Sequence, residues 1–135
     1  MSLWRWEEWL PEIPVDARVD LGAGSTPLIR SARIGPAVGL KNLFFKLENS
    51  NPTGSYKDRF AAVAISKMRQ LGQSHCIAST SGNSGASLAA HCAAAGMECE
   101  ICVIVTAPSG KLDQMRSYGA DVYKVEGFGT DDQMT

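Results

Sequence analysis

The sequence predicts a three-layer α/β fold, in which helices cover both faces of a parallel β-sheet. From residue 43 onward, short apolar runs alternate with segments whose apolar residues recur every three or four positions. This alternation is typical of β-α-β units. Hydrophobic residues make up 44% of the 135-residue chain and charged residues 20%, a balance that suits one modest globular core.

The predicted elements follow in order along the chain. A helix-like opening ends near residue 10, and an irregular segment follows it. Strands are expected at 43–47, 76–79, 100–106 and 122–125, and helices at 56–71, 84–95 and 111–118. Residues 130–135 look like a helix start without a body, so we expect the chain to stop inside a domain. We divide it into an N-terminal segment, 1–42, and an α/β region, 43–135.

Composition excludes several classes of function. The formal net charge is −1 and no basic run is present, so nucleic-acid binding is not expected. The first ten residues carry acidic side chains and no long apolar stretch, unlike a secretory signal. Residues 74–97 contain no Asp, Glu, Lys or Arg, but polar residues and glycines interrupt them. We therefore expect no membrane span and a cytoplasmic protein.

Four cysteines raise the question of a metal site or a disulfide. Cys99 and Cys102 have the C-x-x-C spacing, but they lie at the start of an apolar run that is typical of a buried strand. Residues three apart on a strand point to opposite faces, so these two thiols would not converge on one ion. We expect no metal, and free thiols at Cys76, Cys92, Cys99 and Cys102.

Lys57 occupies an unusual position for a lysine. It follows a Pro/Gly/Ser turn and heads a stripe of apolar residues at helical spacing: Phe60, Ala61, Ala64, Ile65, Met68 and Leu71. Partial desolvation beside the positive end of a helix favours the neutral amine that Schiff-base chemistry requires. The alternative is a lysine whose stem covers the end of a core helix while its ammonium group reaches water.

A second segment, residues 78–87, follows a short strand and opens a helix. Backbone N–H groups and the helix dipole converge at such a place and favour an anion. Polar or small residues fill it: Thr80, Ser81, Gly82, Asn83, Ser84 and Gly85. Asn83 offers an amide donor and an N-cap oxygen. The alternative is an ordinary capped turn, since Ser and Asn suit caps whatever the function.

Three other signals are weaker. Residues 22–24, Gly-Ala-Gly, lack the third glycine of a dinucleotide-binding fingerprint, because Pro27 stands at that position. Residues 110–112, Gly-Lys-Leu, lack the metal-binding Ser or Thr of a phosphate loop. His91 lies among alanines in a predicted helix, so we expect a packed or surface histidine rather than a catalytic one.

The run from 46 to 59, Lys-Leu-Glu-Asn-Ser-Asn-Pro-Thr-Gly-Ser-Tyr-Lys-Asp-Arg, resembles the cofactor-lysine segment of the fold-type II pyridoxal-phosphate enzymes. The resemblance implies that Lys57 binds pyridoxal 5′-phosphate covalently and then serves as acid and base. It also implies that segment 78–87 is the substrate loop of this family. There Asn83 would contact the cofactor ring oxygen, and the substrate carboxylate would bind to Thr80, Ser81, Asn83 and Ser84.

Within that superfamily, the chain is most similar to the threonine synthase family. Residues 4–6, Trp-Arg-Trp, and 21–28, Leu-Gly-Ala-Gly-Ser-Thr-Pro-Leu, resemble the opening of that family, with Ala23 in place of an acidic residue. Residues 110–114 and 118–122 match as well. The resemblance implies conversion of O-phospho-L-homoserine and water to L-threonine and phosphate, with a homodimer as a possible assembly.

Other functions remain open at this stage. Phe60 stands where the family usually has glycine, beside the cofactor lysine, and this leaves the exact substrate open. Cysteate synthase and threonine dehydratase share the scaffold and differ in the substrate pocket. A non-catalytic fragment is the third alternative, because the phosphate loop of the family and the partner of its pyridine nitrogen are expected beyond residue 135.

Overall fold

Two sheets and four helices organise the computed structural model, which describes residues 2–80 and 82–126. Their bounds are β1 (Leu28–Arg30), α1 (Ile34–Ala37), β2 (Phe44–Lys46), α2 (Lys57–Gln70), β3 (His75–Ser79), α3 (Asn83–Ala95), β4 (Glu98–Ile104), α4 (Ser109–Ser117) and β5 (Asp121–Val125). Three 3-10 turns accompany them, at Leu3–Trp9, Val15–Ala17 and Glu48–Ser50. The predicted helix start at 130–135 lies outside the described residues. Across those described, no helix combines the length and apolarity that crossing a membrane requires.

The parallel sheet has the strand order β3-β4-β5. Every second residue of β4 is buried, namely Cys99, Ile101 and Val103. They share one hydrophobic core with Leu88 of α3 and Met115 of α4. Because parallel crossovers are right-handed, α3 and α4 lie on the same face of the sheet. The predicted α/β architecture, a parallel sheet with helices packed on it, is confirmed.

The opposite face of this sheet is open in the part of the chain that the structure describes. Ile77 is 67% exposed and Tyr123 is 50% exposed. Both belong to the set of side chains that alternates with the buried set. The described helices therefore cover one face of the parallel sheet.

The first predicted strand, 43–47, is present as β2 but does not belong to the parallel sheet. It pairs antiparallel with β1, so that Leu28 lies opposite Lys46 and Ile29 opposite Phe45. This corrects the expectation that β2 and α2 form the first β-α-β unit. The physical reason is that β1, which the sequence analysis did not predict, satisfies the backbone groups of β2. The pairing also crosses the division at residue 42, which stays a prediction.

The buried face of α2 is rotated from the predicted stripe. Phe60 is 53% exposed and Leu71 64% exposed, whereas the buried positions are Asp58, Ala61, Ala62, Ile65 and Ser66. The N-terminal segment causes the rotation: Ala62 packs in a second cluster with Leu3, Trp4, Ile13, Ala17 and Ala23. Ser66 Oγ donates to the Ala62 carbonyl (2.6 Å) and accepts from the Val19 N–H (2.7 Å). The small polar Ser66 is therefore buried, whereas the large apolar Phe60 and Leu71 are exposed.

Gly85 is expected to be intolerant of alanine because α3 packs closely there. A Cβ atom would lie 2.6 Å from Thr80 Cγ2 and 2.8 Å from Met115 Cε. We expect Gly85→Ala to lower the free energy of unfolding by about 1–3 kcal/mol, as overpacking does. The matched control is Gly110→Ala in α4, where a Cβ atom meets nothing within 4 Å; it should be neutral or stabilising. Urea denaturation measures both, and equal effects would contradict the packing argument.

Candidate active site

Lys57 is the first residue of α2 and follows a tight turn. In that turn the Gly54 N–H donates to the Asn51 carbonyl (2.8 Å), and Gly54 has a φ of +82° that favours glycine. The Ser55 hydroxyl accepts the Lys57 N–H (3.1 Å). The amine of Lys57 lies 4.7 Å from the ring centroid of Tyr56, which is exposed. The turn therefore fixes the backbone of Lys57 and leaves its half-buried side chain accessible.

The next residue, Asp58, holds this turn in place from the protein interior. Asp58 is fully buried and accepts two hydrogen bonds from Thr53, one from its N–H (2.7 Å) and one from its hydroxyl (2.6 Å). Because the Thr53 hydroxyl uses its hydrogen in the bond to Asp58, the Ser87 hydroxyl, 3.0 Å away, donates a hydrogen bond to the Thr53 hydroxyl oxygen. Gln114 Nε2 donates to the Thr53 carbonyl (3.2 Å). Thr53 thus joins the turn of residues 51–57, called the lysine turn below, to both α3 and α4.

A second set of contacts joins this turn to residues 22–28. Arg59 makes a bidentate pair with Glu48, from Nε to Oε2 (3.0 Å) and from Nη2 to Oε1 (2.9 Å). The Thr26 hydroxyl donates to the same carboxylate (2.8 Å). The Gly24 N–H donates to Asn51 Oδ1 (2.9 Å). The segment that resembles the threonine synthase opening is therefore a brace for the lysine turn.

Because of the Arg59–Glu48 contact, we expect the stability of the fold to decrease in acid. Hydrogen bonding from Arg59 lowers the pKa of Glu48 from 4.5 to about 2, with Thr26 and Asn51 contributing in the same direction. Because the folded pKa is depressed, the stabilisation is fully present above pH 4.5 and is lost as the pH falls toward 2. We expect Glu48→Gln to flatten the fall in melting temperature over that window. Glu12→Gln, at an exposed carboxylate, is the control and should leave the profile unchanged.

The 78–87 segment does connect a strand to a helix. The Thr80 N–H donates to the Cys102 carbonyl (3.0 Å), which extends the pairing of β3 and β4 by one residue. Gly82 is the N-cap of α3 and Asn83 its first helical residue, with no side-chain hydrogen bond at the cap. This corrects the expectation that Asn83 supplies the N-cap oxygen, because its backbone is already helical. Ser81 lies outside the described residues.

The predicted residues lie at the beginnings of two helices that pack together. The Thr53–Ser87 contact ties the turn of Lys57 to α3, which begins at Asn83. Among the described residues, no hydrogen bond joins Lys57 directly to Thr80, Asn83 or Ser84. The Thr53–Ser87 contact, rather than a contact between the proposed ligand-binding side chains, therefore holds the two segments together.

The geometry fits an anionic ligand that carries an aldehyde. The first turn of α3 has no side-chain cap, and a Cβ atom at Gly82 would meet nothing within 4 Å, so a ligand can approach the backbone there. The accessible primary amine of Lys57 lies at the start of the adjacent helix. An uncapped helix N-terminus suits a carboxylate or phosphate, and an amine suits Schiff-base formation. These residues fit pyridoxal phosphate and an amino-acid carboxylate.

Sequence reasoning expected Asp58 and Arg59 to support the start of the helix through dipole and ion-pair effects, but it missed their partners. Glu48 lies inside the same 46–59 run as Arg59, and the opposite charges of the two residues were the available signal. Ser87 and Gln114 gave no signal, because a serine and a glutamine in predicted helices are ordinary. Only the fold places them against Thr53.

Comparison with known proteins identifies the class. The family model described as pyridoxal-phosphate dependent enzyme matches residues 19–135, and the chain belongs to this family. The predicted cofactor, pyridoxal 5′-phosphate, is confirmed at the level of the family.

Individual relatives are more specific. The threonine synthase of Methanocaldococcus jannaschii is 39% identical over 132 residues, which are 94% of this chain and 32% of that protein. The threonine synthase of Halalkalibacterium halodurans is 37% identical over 137 residues, 94% of this chain and 37% of that protein. A crystal structure of a pyridoxal 5′-phosphate-dependent aspartate racemase is 37% identical, with a TM-score of 0.68, over 76% of this chain and 32% of that one. The chain spans about a third of the length of these relatives.

Proposed function

We propose that this chain contributes the cofactor lysine and the substrate-carboxylate loop of a threonine synthase. The observation that carries the proposal is the pairing of an accessible lysine amine at the start of α2 with an uncapped helix start in α3. Two threonine synthases at 37–39% identity support the choice of activity. The reaction is conversion of O-phospho-L-homoserine and water to L-threonine and phosphate.

Lys57 is the proposed catalytic residue. Bound pyridoxal phosphate supplies an electron sink for charge that develops on the amino-acid carbon. Lys57 Nζ would hold the cofactor through its aldehyde carbon and, when the substrate amine takes its place there, would as a free amine take and return protons at the substrate carbons. Its backbone is fixed by the Ser55 hydroxyl and its helix by the Asp58–Thr53 contacts. The amine therefore starts from a defined position at the helix end.

The start of α3 is the proposed carboxylate site. Its first-turn N–H groups and the helix dipole attract an anion. Thr80, Ser81, Asn83 and Ser84 are the proposed side-chain donors. Asn83 is exposed on the first turn and is also the proposed donor to the cofactor ring oxygen. Holding the carboxylate and the ring together orients the bond that breaks at the α carbon.

We expect Asn83→Ala to impair turnover more than cofactor retention, because Lys57 still holds the cofactor. The loss is that of one hydrogen bond to a charged group, about 1.5–3 kcal/mol in kcat/KM. Asn42→Ala, at an exposed asparagine that is distant in sequence from this loop, is the matched control. Steady-state kinetics with absorbance of the bound cofactor separates the two effects. Unchanged kinetics in Asn83→Ala would reduce this loop to a helix start.

The substrate is tested by phosphate release in the complete protein. Purified enzyme loaded with pyridoxal phosphate should release phosphate from O-phospho-L-homoserine and form an equal amount of threonine. Turnover of O-phosphoserine or of threonine, without turnover of phosphohomoserine, would instead favour cysteate synthase or threonine dehydratase. No turnover of any of them would favour a non-catalytic role.

The structural relative gives a second candidate function. The aspartate racemase is 37% identical over 76% of this chain, and the second threonine synthase is 37% identical over 94% of it. Racemisation uses the same lysine chemistry at the α carbon and needs no leaving phosphate. Chiral analysis of aspartate after incubation with the enzyme distinguishes the two, since a threonine synthase leaves L-aspartate unchanged.

The remaining expectations are proposals of the same kind. We propose that residues 1–42 form a segment that braces the 43–135 region, as the Glu48–Thr26 contact does across that division. A cytoplasmic homodimer is the proposed state of the complete enzyme. Size-exclusion chromatography with light scattering tests the assembly.

A further inference from the structure

Three of the four cysteines lie together inside the core. Their side chains are almost fully buried, with exposures of 4% for Cys76, 0% for Cys92 and 6% for Cys99. Their sulfur atoms all lie within 4.8 Å of one another. All three are free thiols, so the core contains a compact triangle of soft ligand atoms.

The fold, not the sequence spacing, builds this triangle. Cys76 of β3 lies directly opposite Cys99 of β4 in the parallel register, so both side chains point to the same face. Helix α3 covers that face and contributes Cys92 to the same core. Cys102 is not a member, because it lies on the other face of β4. The C-x-x-C pair is thus split as predicted, and its first cysteine joins two that are distant in sequence.

We propose that Cys76, Cys92 and Cys99 form a binding site for one thiophilic metal ion, Cu(I), coordinated by three sulfur atoms. Thiolate sulfur selects soft ions such as Cu(I) and Zn(II) over hard ones. An ion about 2.3 Å from three sulfurs in a plane needs them about 4 Å apart. The existing separations of up to 4.8 Å close to this value by small side-chain movements.

Coordination number favours Cu(I) over Zn(II). Structural zinc sites have four protein ligands, and within the described residues the cluster offers three. Hydrophobic neighbours surround it, including Leu88 and Ile101, which supply no fourth donor. Cu(I) accepts three sulfur ligands without a fourth, and its single charge is balanced when one of the thiols releases its proton to solvent on binding.

The test is anaerobic competition for Cu(I) between the reduced protein and a bathocuproine disulfonate indicator. We expect one Cu(I) per chain, and at least a tenfold loss of affinity in each of Cys76→Ser, Cys92→Ser and Cys99→Ser. Cys102→Ser is the matched control and should bind like the unmodified protein. Far-UV circular dichroism checks that the variants are folded.

Copper K-edge absorption on the unmodified protein decides the geometry without any variant. A coordination shell of three sulfur atoms supports the proposal. Because this measurement uses the unmodified protein, it holds even if a serine variant fails to fold. A shell with nitrogen or oxygen, or with two sulfurs, overturns it. An equal loss of affinity in Cys102→Ser overturns it as well. Tighter binding of Zn(II) than of Cu(I) in a parallel competition overturns the choice of metal.

Discussion

Replacing Lys57 with alanine is expected to abolish covalent binding of pyridoxal phosphate and to lower kcat by a factor of about 10²–10⁴, the usual contribution of a general acid–base. Three of the five other lysines are engaged elsewhere: Lys46 donates to the Thr26 carbonyl, Lys67 to Gln70 (2.7 Å) and Lys111 to Gln114 (2.9 Å). Among the described residues, the Lys57 amine contacts the Tyr56 ring and no oxygen acceptor. Its amine is therefore the most available of these four for the aldehyde.

Borohydride reduction followed by peptide mapping measures the attachment. The pyridoxyl group should appear on the peptide that contains Lys57 and should be missing in Lys57→Ala. Lys57→Arg keeps the charge but cannot form the imine, so it should fail in the same way. Lys67→Ala, on the same helix, is the matched control and should be labelled normally. A label on another lysine in the unmodified protein would refute the assignment.

Removing the Asp58 carboxylate is expected to destabilise the fold more than any other single change near the site. Asp58→Ala leaves two donors of Thr53, its N–H and its hydroxyl, without their acceptor in the interior. Leaving buried donors unsatisfied costs about 1–3 kcal/mol for each. Two such donors would cost about 2–6 kcal/mol, and because partial relaxation offsets some of this cost, we expect a loss of about 2–4 kcal/mol in the free energy of unfolding. Urea denaturation followed by tryptophan fluorescence measures it.

The first control is a variant whose side chain has nearly the same shape as that of Asp58. Asp58→Asn retains one carbonyl acceptor and should lose about half as much stability. Asp113→Ala removes an exposed carboxylate whose pairing with Arg116 is long, at 3.8 Å, and should be neutral within about 0.5 kcal/mol. A loss below 1 kcal/mol in Asp58→Ala would show that the Thr53 turn is held by its contacts to Ser87 and Gln114 instead. Looser binding of the cofactor should accompany the loss of stability, because Thr53 positions the turn before Lys57.

The local architecture was predictable from sequence because it depends on neighbours along the chain. The apolar run at 100–106 predicts a buried strand, and β4 is present at Glu98–Ile104. Helical spacing and terminal glycines located α2, α3 and α4 to within two residues. The turn before Lys57 was also readable, because Pro, Gly and Ser have strong local preferences. The proposed roles of Lys57 and Asn83 came from the motif and stay predictions.

The tertiary structure alone decided which faces these elements bury and which side chains meet. The N-terminal segment packs on α2 and turns Phe60 outward, which periodicity within the helix could not predict. The short strand β2 pairs with β1 rather than with β3, since pairing depends on which partner lies near in space. Thr53 meets Ser87 and Gln114 for the same reason. Such contacts join residues 34 and 61 positions apart, and a pattern with a period of two or 3.6 residues contains no information about them.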